Sequence, residues 1–326
     1  MGVVSESVAS VDELEDGEMT QVSVGETDVL LSRIDGEYHA TGAYCSHYGA
    51  PLSDGVLEEE TGCVVCPWHH AVFDLTTGDH VEPPGRDCLS EFEVLVRDGS
   101  VIVEVPEEAT ATRRPDFASR DPADERHFVV VGAGAAGSMA AETLRRNDFQ
   151  GRLTMITRER HLPYDRPNLS KAYMSGEGSV EWLPLRDRAF YGDLDVELMS
   201  GRSVVDLDAT DHEIRLDGGD KLAYDKLLLA TGGRPRALDV PGAQLEGIHL
   251  LRSRDDAERI VEQAQNARRA VVVGSGFIGM EVAASLRARE IDVDVVSMEQ
   301  EPFERVFGPQ VGRYFRRRHE QEDVGF

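Results

Sequence analysis

Lysine is nearly missing from this 326-residue chain: Lys171, Lys221 and Lys226 are the only three among 34 basic residues, and the rest are arginine. Basic charge as a whole is outweighed by 61 acidic residues, for a formal net charge of −27. A field of that sign repels nucleic acid and anionic membranes and excludes both as partners. It suits a solvent salty enough to screen charge over a few ångströms. Long apolar runs are also missing, and no stretch approaches the roughly 18 residues of a membrane span. The start, MGVVSESVASVDELEDGEM, is acidic without an apolar core, so it does not read as a signal peptide. A soluble, cytoplasmic chain is the expectation. Cysteine is scarce and confined: Cys45, Cys63, Cys66 and Cys88 are all there is. Cysteines so few and so clustered in a cytosolic chain point to metal ligands or catalytic groups rather than disulfides.

Short β-type runs and turns fill residues 1–105, ending in FEVLVRDGSVIVEV around an Asp-Gly turn, which predicts a small all-β domain. Residues 106–126 are rich in Pro, Ala and charge without apolar period and read as a linker. From His127 strands alternate with helical periods, predicting an α/β, doubly wound parallel sheet. HFVVVGAGAAG and ARRAVVVGSGFIG are each a buried strand running into a Gly-rich turn. They predict two nucleotide-binding units, over 127–268 and 269–326. Only residues 274–326 lie beyond the second turn, too few for a whole dinucleotide half, so the second unit is expected to be incomplete.

Two loops carry the most specific chemistry, Cys45-Ser46-His47 and Cys66-Pro67-Trp68-His69. A Rieske-type [2Fe–2S] cluster needs two thiolates on one iron and two imidazoles on the other, one of each from each loop. Cys45, His47, Cys66 and His69 meet that need, and Pro83-Pro84 suits a third loop shielding the cluster. A structural zinc competes through Cys63-x-x-Cys66, but C-x-H is a poor zinc spacing. Alternation in GCVVC makes Cys63 a core strand residue; Cys88 reads as packing, His39 and His80 as surface or loop residues, and His70 as an exposed neighbour. CSHYGAPLSDG with CPWHHAVFDLTTGDHVEPP resembles the Rieske ferredoxins and the ferredoxin-like domains of oxygenase systems. The high-potential members have an extra loop disulfide and hydroxyl donors to the cluster sulfurs. This chain has Ala50 and Trp68, then Ala71 and Phe73, at those places, which predicts a low potential.

VVVGAGAAG supplies Gly132, Gly134 and Gly137 in G-x-G-x-x-G order after a strand, with Glu159 past the next strand to bind a ribose hydroxyl pair. PYDRPNLSK and ATGGRPR then resemble the ferredoxin-reductase and apoptosis-inducing-factor-like flavoproteins, in particular those fused to a Rieske domain. That resemblance runs from about residue 127 to the end, and the composition resembles that of salt-loving archaea. It implies FAD at the first site, with Arg166 and Lys171 beside the flavin and Ala230, Thr231 and Gly232 passing under it. VVVGSGFIGME supplies Gly274, Gly276 and Gly279 for the nicotinamide cofactor, and the resemblance pairs Glu281 with Lys171. Ser297 stands where an acid would reject the 2′-phosphate of NADP, with Glu299 two residues on, so NADH is slightly favoured within NAD(P)H. No redox C-x-x-C follows the flavin fingerprint, which argues against disulfide-reductase chemistry.

The resulting expectation is an NAD(P)H-dependent flavoprotein reductase passing electrons through FAD to the cluster and on to an oxygenase, a cytochrome or a ferredoxin, with a homo-oligomer as one arrangement. Two alternatives stand beside it. One is an electron-transfer module whose truncated flavoprotein part does not turn over; the other is the reductase component of a nitrite-reductase-like assembly.

Overall fold

The computed structural model describes residues 2–326 and falls into two compact units, one ending at Asp116 and the other beginning at Phe117. The first unit is all β. Along the chain it forms β1 (Val3–Ser10), β2 (Met19–Val24), β3 (Thr27–Ile34), β4 (Glu37–Gly42), β5 (Val56–Glu58), β6 (Cys63–Val65), β7 (Val72–Asp74), β8 (His80–Glu82), β9 (Cys88–Leu89), β10 (Glu91–Arg97), β11 (Ser100–Pro106) and β12 (Thr112–Arg113). An antiparallel six-stranded sheet runs β1-β11-β10-β4-β3-β2, and a smaller antiparallel sheet runs β5-β6-β7-β8. Two Asp-Gly turns close its hairpins: Asp35-Gly36 joins β3 to β4 and Asp98-Gly99 joins β10 to β11. All four residues have positive φ, the geometry that matches strand twist in a two-residue hairpin. Inward residues alternate along β11, where Val101, Val103 and Val105 pack on Val29 and Leu31. The small sheet has its own core of Leu52, Val64, Phe73 and Leu89, and Cys45 and Cys66 belong to it.

The segment 106–126, read from sequence as a linker, carries structure. Its Thr112 and Arg113 pair with Leu89 and Cys88, and Arg113 reaches Asp79 at 2.6 Å. Further on, Phe117 meets Phe190 edge to face, and the Ala118 amide donates to the Arg145 carbonyl at 2.9 Å. Apolar period misses such a stretch because it is held by backbone hydrogen bonds and single side chains rather than by a buried face.

The second unit forms β13 (His127–Val131), α1 (Ala135–Arg146), β14 (Arg152–Thr157), α2 (Ala172–Ser175), α3 (Arg188–Asp193), β15 (Val196–Ser200), β16 (Val204–Asp208), β17 (Glu213–Leu216), β18 (Lys221–Ala223), β19 (Lys226–Leu229), α4 (Arg254–Ala264), β20 (Arg269–Val273), α5 (Phe277–Arg287), β21 (Asp292–Val296), α6 (Glu304–Glu320) and β22 (Val324–Gly325). A parallel sheet of order β15-β14-β13-β19 holds the first Gly-rich turn, and a parallel sheet of order β20-β21-β22 holds the second. An antiparallel β16-β17-β18 meander carries Ile214 and Leu216 onto the β13–β14 core. The second sheet is buried on one face only: Val293 and Val295 are in the core, whereas Val271 and Val273 of β20 are each 59% exposed. The two faces of a parallel sheet are ordinarily both covered.

Candidate redox sites

The two cysteine loops of the first unit are built alike. The Cys45 amide donates to the Ala50 carbonyl at 2.9 Å and the Cys66 amide to the Ala71 carbonyl at 2.8 Å. Within each turn, the amide four residues on returns to the cysteine carbonyl, Gly49 to Cys45 and His70 to Cys66. Gly49 and His70 hold the left-handed position of their turns, at φ 73° and 62°. That equivalence explains the histidine choice, because His70 fills the role of a turn glycine while His69 is left to face the other loop. The Nδ1 atoms of His47 and His69 converge to 3.2 Å, with the rings edge to face. Beneath them the thiols of Cys45 and Cys66 are buried side by side. Burial pushes the Cys45 thiol up to about 11 against the pull of the His47 and Tyr48 backbone amides, and Cys66 adds to the rise. Two thiols below and two ring nitrogens converging above fit the donor set of a Rieske [2Fe–2S] cluster.

Ser46 ties the first loop to the third. Its hydroxyl donates to the Asp87 carbonyl at 2.8 Å and accepts from the Arg86 amide at 3.2 Å. A Cβ on Gly85 would meet Phe73, Ser46 and His80 within 3.2 Å, so the loop carrying Pro83-Pro84 packs tightly here. Cys63 is half-buried rather than a core residue, because in β6 it is Val64 that points inward. His80 is buried, with its ring against Phe73 and its amide donating to Cys88 Sγ at 3.4 Å, so the reading of it as a surface or loop residue does not hold. Trp68 and Tyr48 are exposed beside His69 and His47.

In the second unit the first Gly-rich turn has three different glycine requirements. Gly132 has φ 110°, and a Cβ on it would sit 2.1 Å from the Ala230 carbonyl oxygen. A Cβ on Gly137 would sit 1.8 Å from the Gly132 carbonyl oxygen, which presses α1 onto its strand. Gly134, by contrast, faces open space at the start of α1, where no side chain caps the helix. That open cradle at a helix N-terminus fits a pyrophosphate. The second turn repeats it: a Cβ on Gly279 would sit 2.0 Å from the Gly274 carbonyl oxygen, while Gly276 faces open space at the start of α5.

Glu159, at the end of β14, accepts from Arg166 at 2.9 Å and from the Tyr164 hydroxyl at 2.6 Å. Arg166 therefore lies with the acid expected at the ribose. Burial, with the hydrogen bond to Glu159, pushes the Tyr164 hydroxyl far above its ordinary range. Ala230 donates its amide to Val131 and closes against Gly132, and Thr231 and Gly232 follow it, exposed, after β19. Lys171 Nζ is 2.9 Å from Glu281 of α5, so residues from the two dinucleotide-binding segments meet in one ion pair. At the end of β21, the Ser297 hydroxyl lies 2.8 Å from that of Ser275 and 3.2 Å from the Glu299 carboxylate. Glu299 also reaches Arg305 at 2.6 Å. Sequence reasoning passed over Tyr164, Ser170 and Ser275, whose hydroxyls also meet residues distant in sequence, the Arg254 amide, Glu281 and Ser297.

An all-β two-loop domain followed by paired parallel sheets with glycine cradles defines a Rieske protein joined to a dinucleotide-binding oxidoreductase. Residues 126–326 match the pyridine nucleotide-disulphide oxidoreductase family and residues 5–93 the Rieske [2Fe-2S] domain, and the chain belongs to that family with a Rieske domain ahead of it. Apoptosis-inducing factor 3 of Homo sapiens is 40% identical over 330 residues, covering 99% of this chain and 54% of the relative. The ferredoxin reductase component of chlorobenzene dioxygenase from a Cupriavidus species is 40% identical over 191 residues, 58% of this chain and 46% of the relative. Among solved structures, the ferredoxin reductase of the CYP199A2 system from Rhodopseudomonas palustris superposes with a TM-score of 0.59 at 38% identity, covering 62% of this chain and 50% of that one. The chain thus spans about half the length of the curated relatives it matches. No helix among the described residues is long and apolar enough to cross a membrane.

Proposed function

We propose that this chain is an NAD(P)H-dependent flavoprotein reductase that delivers electrons through its own Rieske cluster to a redox partner protein, an oxygenase, a cytochrome or a ferredoxin. The observation that carries the reading is the Lys171–Glu281 ion pair, which joins the segment after the first glycine turn to the helix that opens the second. A bound FAD would supply the link between a two-electron hydride donor, NAD(P)H, and a cluster that carries single electrons. The chain's residues divide the work. Gly132, Gly134 and Gly137 admit a pyrophosphate to the start of α1, and Glu159 presents a carboxylate for a ribose. Ala230, Thr231 and Gly232 border the same site. Lys171 holds a positive charge where a reduced flavin would gain a negative one, and Glu281 fixes that lysine. Gly274, Gly276 and Gly279 repeat the cradle for the nicotinamide dinucleotide. Glu299, turned toward Ser297, would face a 2′-phosphate and so favours NADH. Cys45, Cys66, His47 and His69 hold the cluster. Four unpaired cysteines suit a cytoplasmic setting, and the charge of −27 suits one rich in salt.

An anaerobic titration of the purified protein with NADH in high salt tests this. Loss of both the flavin and the cluster absorption is the expected result. Cluster bands that persist unchanged, with no flavin present, would leave only an electron-transfer module.

A further inference from the structure

We propose that Ser170 is a positioning residue that, together with Ser285, holds the Glu281 carboxylate against Lys171, and so couples helix α5 of the nicotinamide-binding segment to the flavin-side lysine. The proposal rests on the reductase reading above. Glu281 and Ser285 are four residues apart on α5 and therefore share one face. That face meets the segment 166–175. The Ser170 hydroxyl donates to Glu281 Oε2 at 2.6 Å, while Lys171 Nζ stands 2.9 Å from Oε1 of the same carboxylate. The Ser285 hydroxyl donates to the Ser170 carbonyl at 2.8 Å. Four residues beyond Ser285, Arg289 donates to the Met174 carbonyl at 2.5 Å, extending the seam. Ser170 and Ser285 are 5% and 6% exposed, so water does not compete at either hydroxyl.

The lysine needs such a frame. Its side chain is 51% exposed, and a long flexible ammonium in that setting samples many positions unless its partner is fixed. The carboxylate alone does not fix it, since a glutamate side chain turns about its own bonds. Occupying the second oxygen removes that freedom. Ser170 has one proton to give and two acceptors in reach, Glu281 at 2.6 Å and the Pro167 carbonyl at 3.2 Å. The shorter, charged acceptor wins. Lys171 also has the Pro167 carbonyl at 3.4 Å as its fallback. Without the serine hydroxyl, a half-buried carboxylate oxygen loses its donor, and the ammonium has an alternative partner away from Glu281.

The test compares Ser170→Ala, Ser170→Thr and Ser285→Ala in the full chain with FAD and cluster, reading flavin content, flavin midpoint potential and the NADH dependence of flavin reduction. Ser170→Ala is expected to keep its FAD and a half-saturating NADH concentration within about twofold. Its limiting rate should fall about tenfold, the scale of one hydrogen bond to a charged group. The flavin potential should move downward with it, Ser170→Thr should restore both, and Ser285→Ala should give the smaller change. Rate and potential equal to wild type in Ser170→Ala would overturn the proposal. So would loss of FAD and thermal stability in Ser170→Ala that Ser170→Thr does not repair, the mark of a merely structural serine. A wild-type chain that holds FAD but is not reduced by NADH removes the reductase reading and leaves the potential shift alone to decide the role of Ser170. A chain that takes up no FAD overturns both.

Discussion

Ala71 and Phe73 are both fully buried beside the cysteine loops and offer no hydroxyl to a cluster sulfur. The one serine in the first loop, Ser46, gives its proton to the Asp87 carbonyl instead. Hydrogen bonds to cluster sulfur raise a Rieske potential, so a midpoint around −150 mV is expected by electrochemistry. A value above roughly +100 mV would contradict the account. The Cys45 thiol, held up at about 11 by burial, keeps its proton in metal-free protein at neutral pH. Metal must displace that proton, so assembly of cluster from iron and sulfide into metal-free protein should become more favourable as pH rises and weaken as it falls. Spectroscopic yield across pH 6–9 checks the sign. At this scale the sequence is legible where chemistry dictates residue type. C-x-H and C-x-x-H name four candidate ligands, yet why His69 rather than His70 faces His47 becomes physical only through the left-handed turn position shared by Gly49 and His70. The placement of Arg166 on Glu159, and of Ser170 on Glu281 of α5, was not legible, because each contact is one that no local spacing encodes.

Among elements, the glycine turns separate folding from binding. Gly137→Ala places a methyl 1.8 Å from a backbone oxygen, which cannot yield cheaply, and should destabilise the second unit by about 1–3 kcal/mol or more. Gly134→Ala enters open space at φ −82°, so the fold should keep its stability to within about 1 kcal/mol while FAD affinity falls by tenfold or more. Thermal melts paired with flavin titration distinguish them, and a Gly134→Ala protein that binds FAD normally would move the pyrophosphate elsewhere. The strands and helices around both turns were legible because a buried strand, a Gly-rich turn and a helical period follow in order. The segment 106–126 was not: its strand is two residues long and its anchors are single contacts such as Phe117 on Phe190.

For the whole molecule, charge is the dominant long-range term. At 0.1 M salt, repulsion extends over about 10 Å, and at 1 M over about 3 Å. Sixty-one acidic residues against 34 basic ones should therefore make the melting temperature climb steeply between those salt concentrations. A flat salt dependence would remove the salt-adapted reading. The central claim, that electrons enter at the flavin and leave through the cluster, is tested most directly by rapid anaerobic mixing of the holoprotein with NADH while both chromophores are followed in time. Flavin absorption should fall first, with the cluster reduced at the expense of the reduced flavin in a later phase. A cluster that stays oxidised while the flavin remains fully reduced, or one reduced by NADH before any change in the flavin, would contradict it.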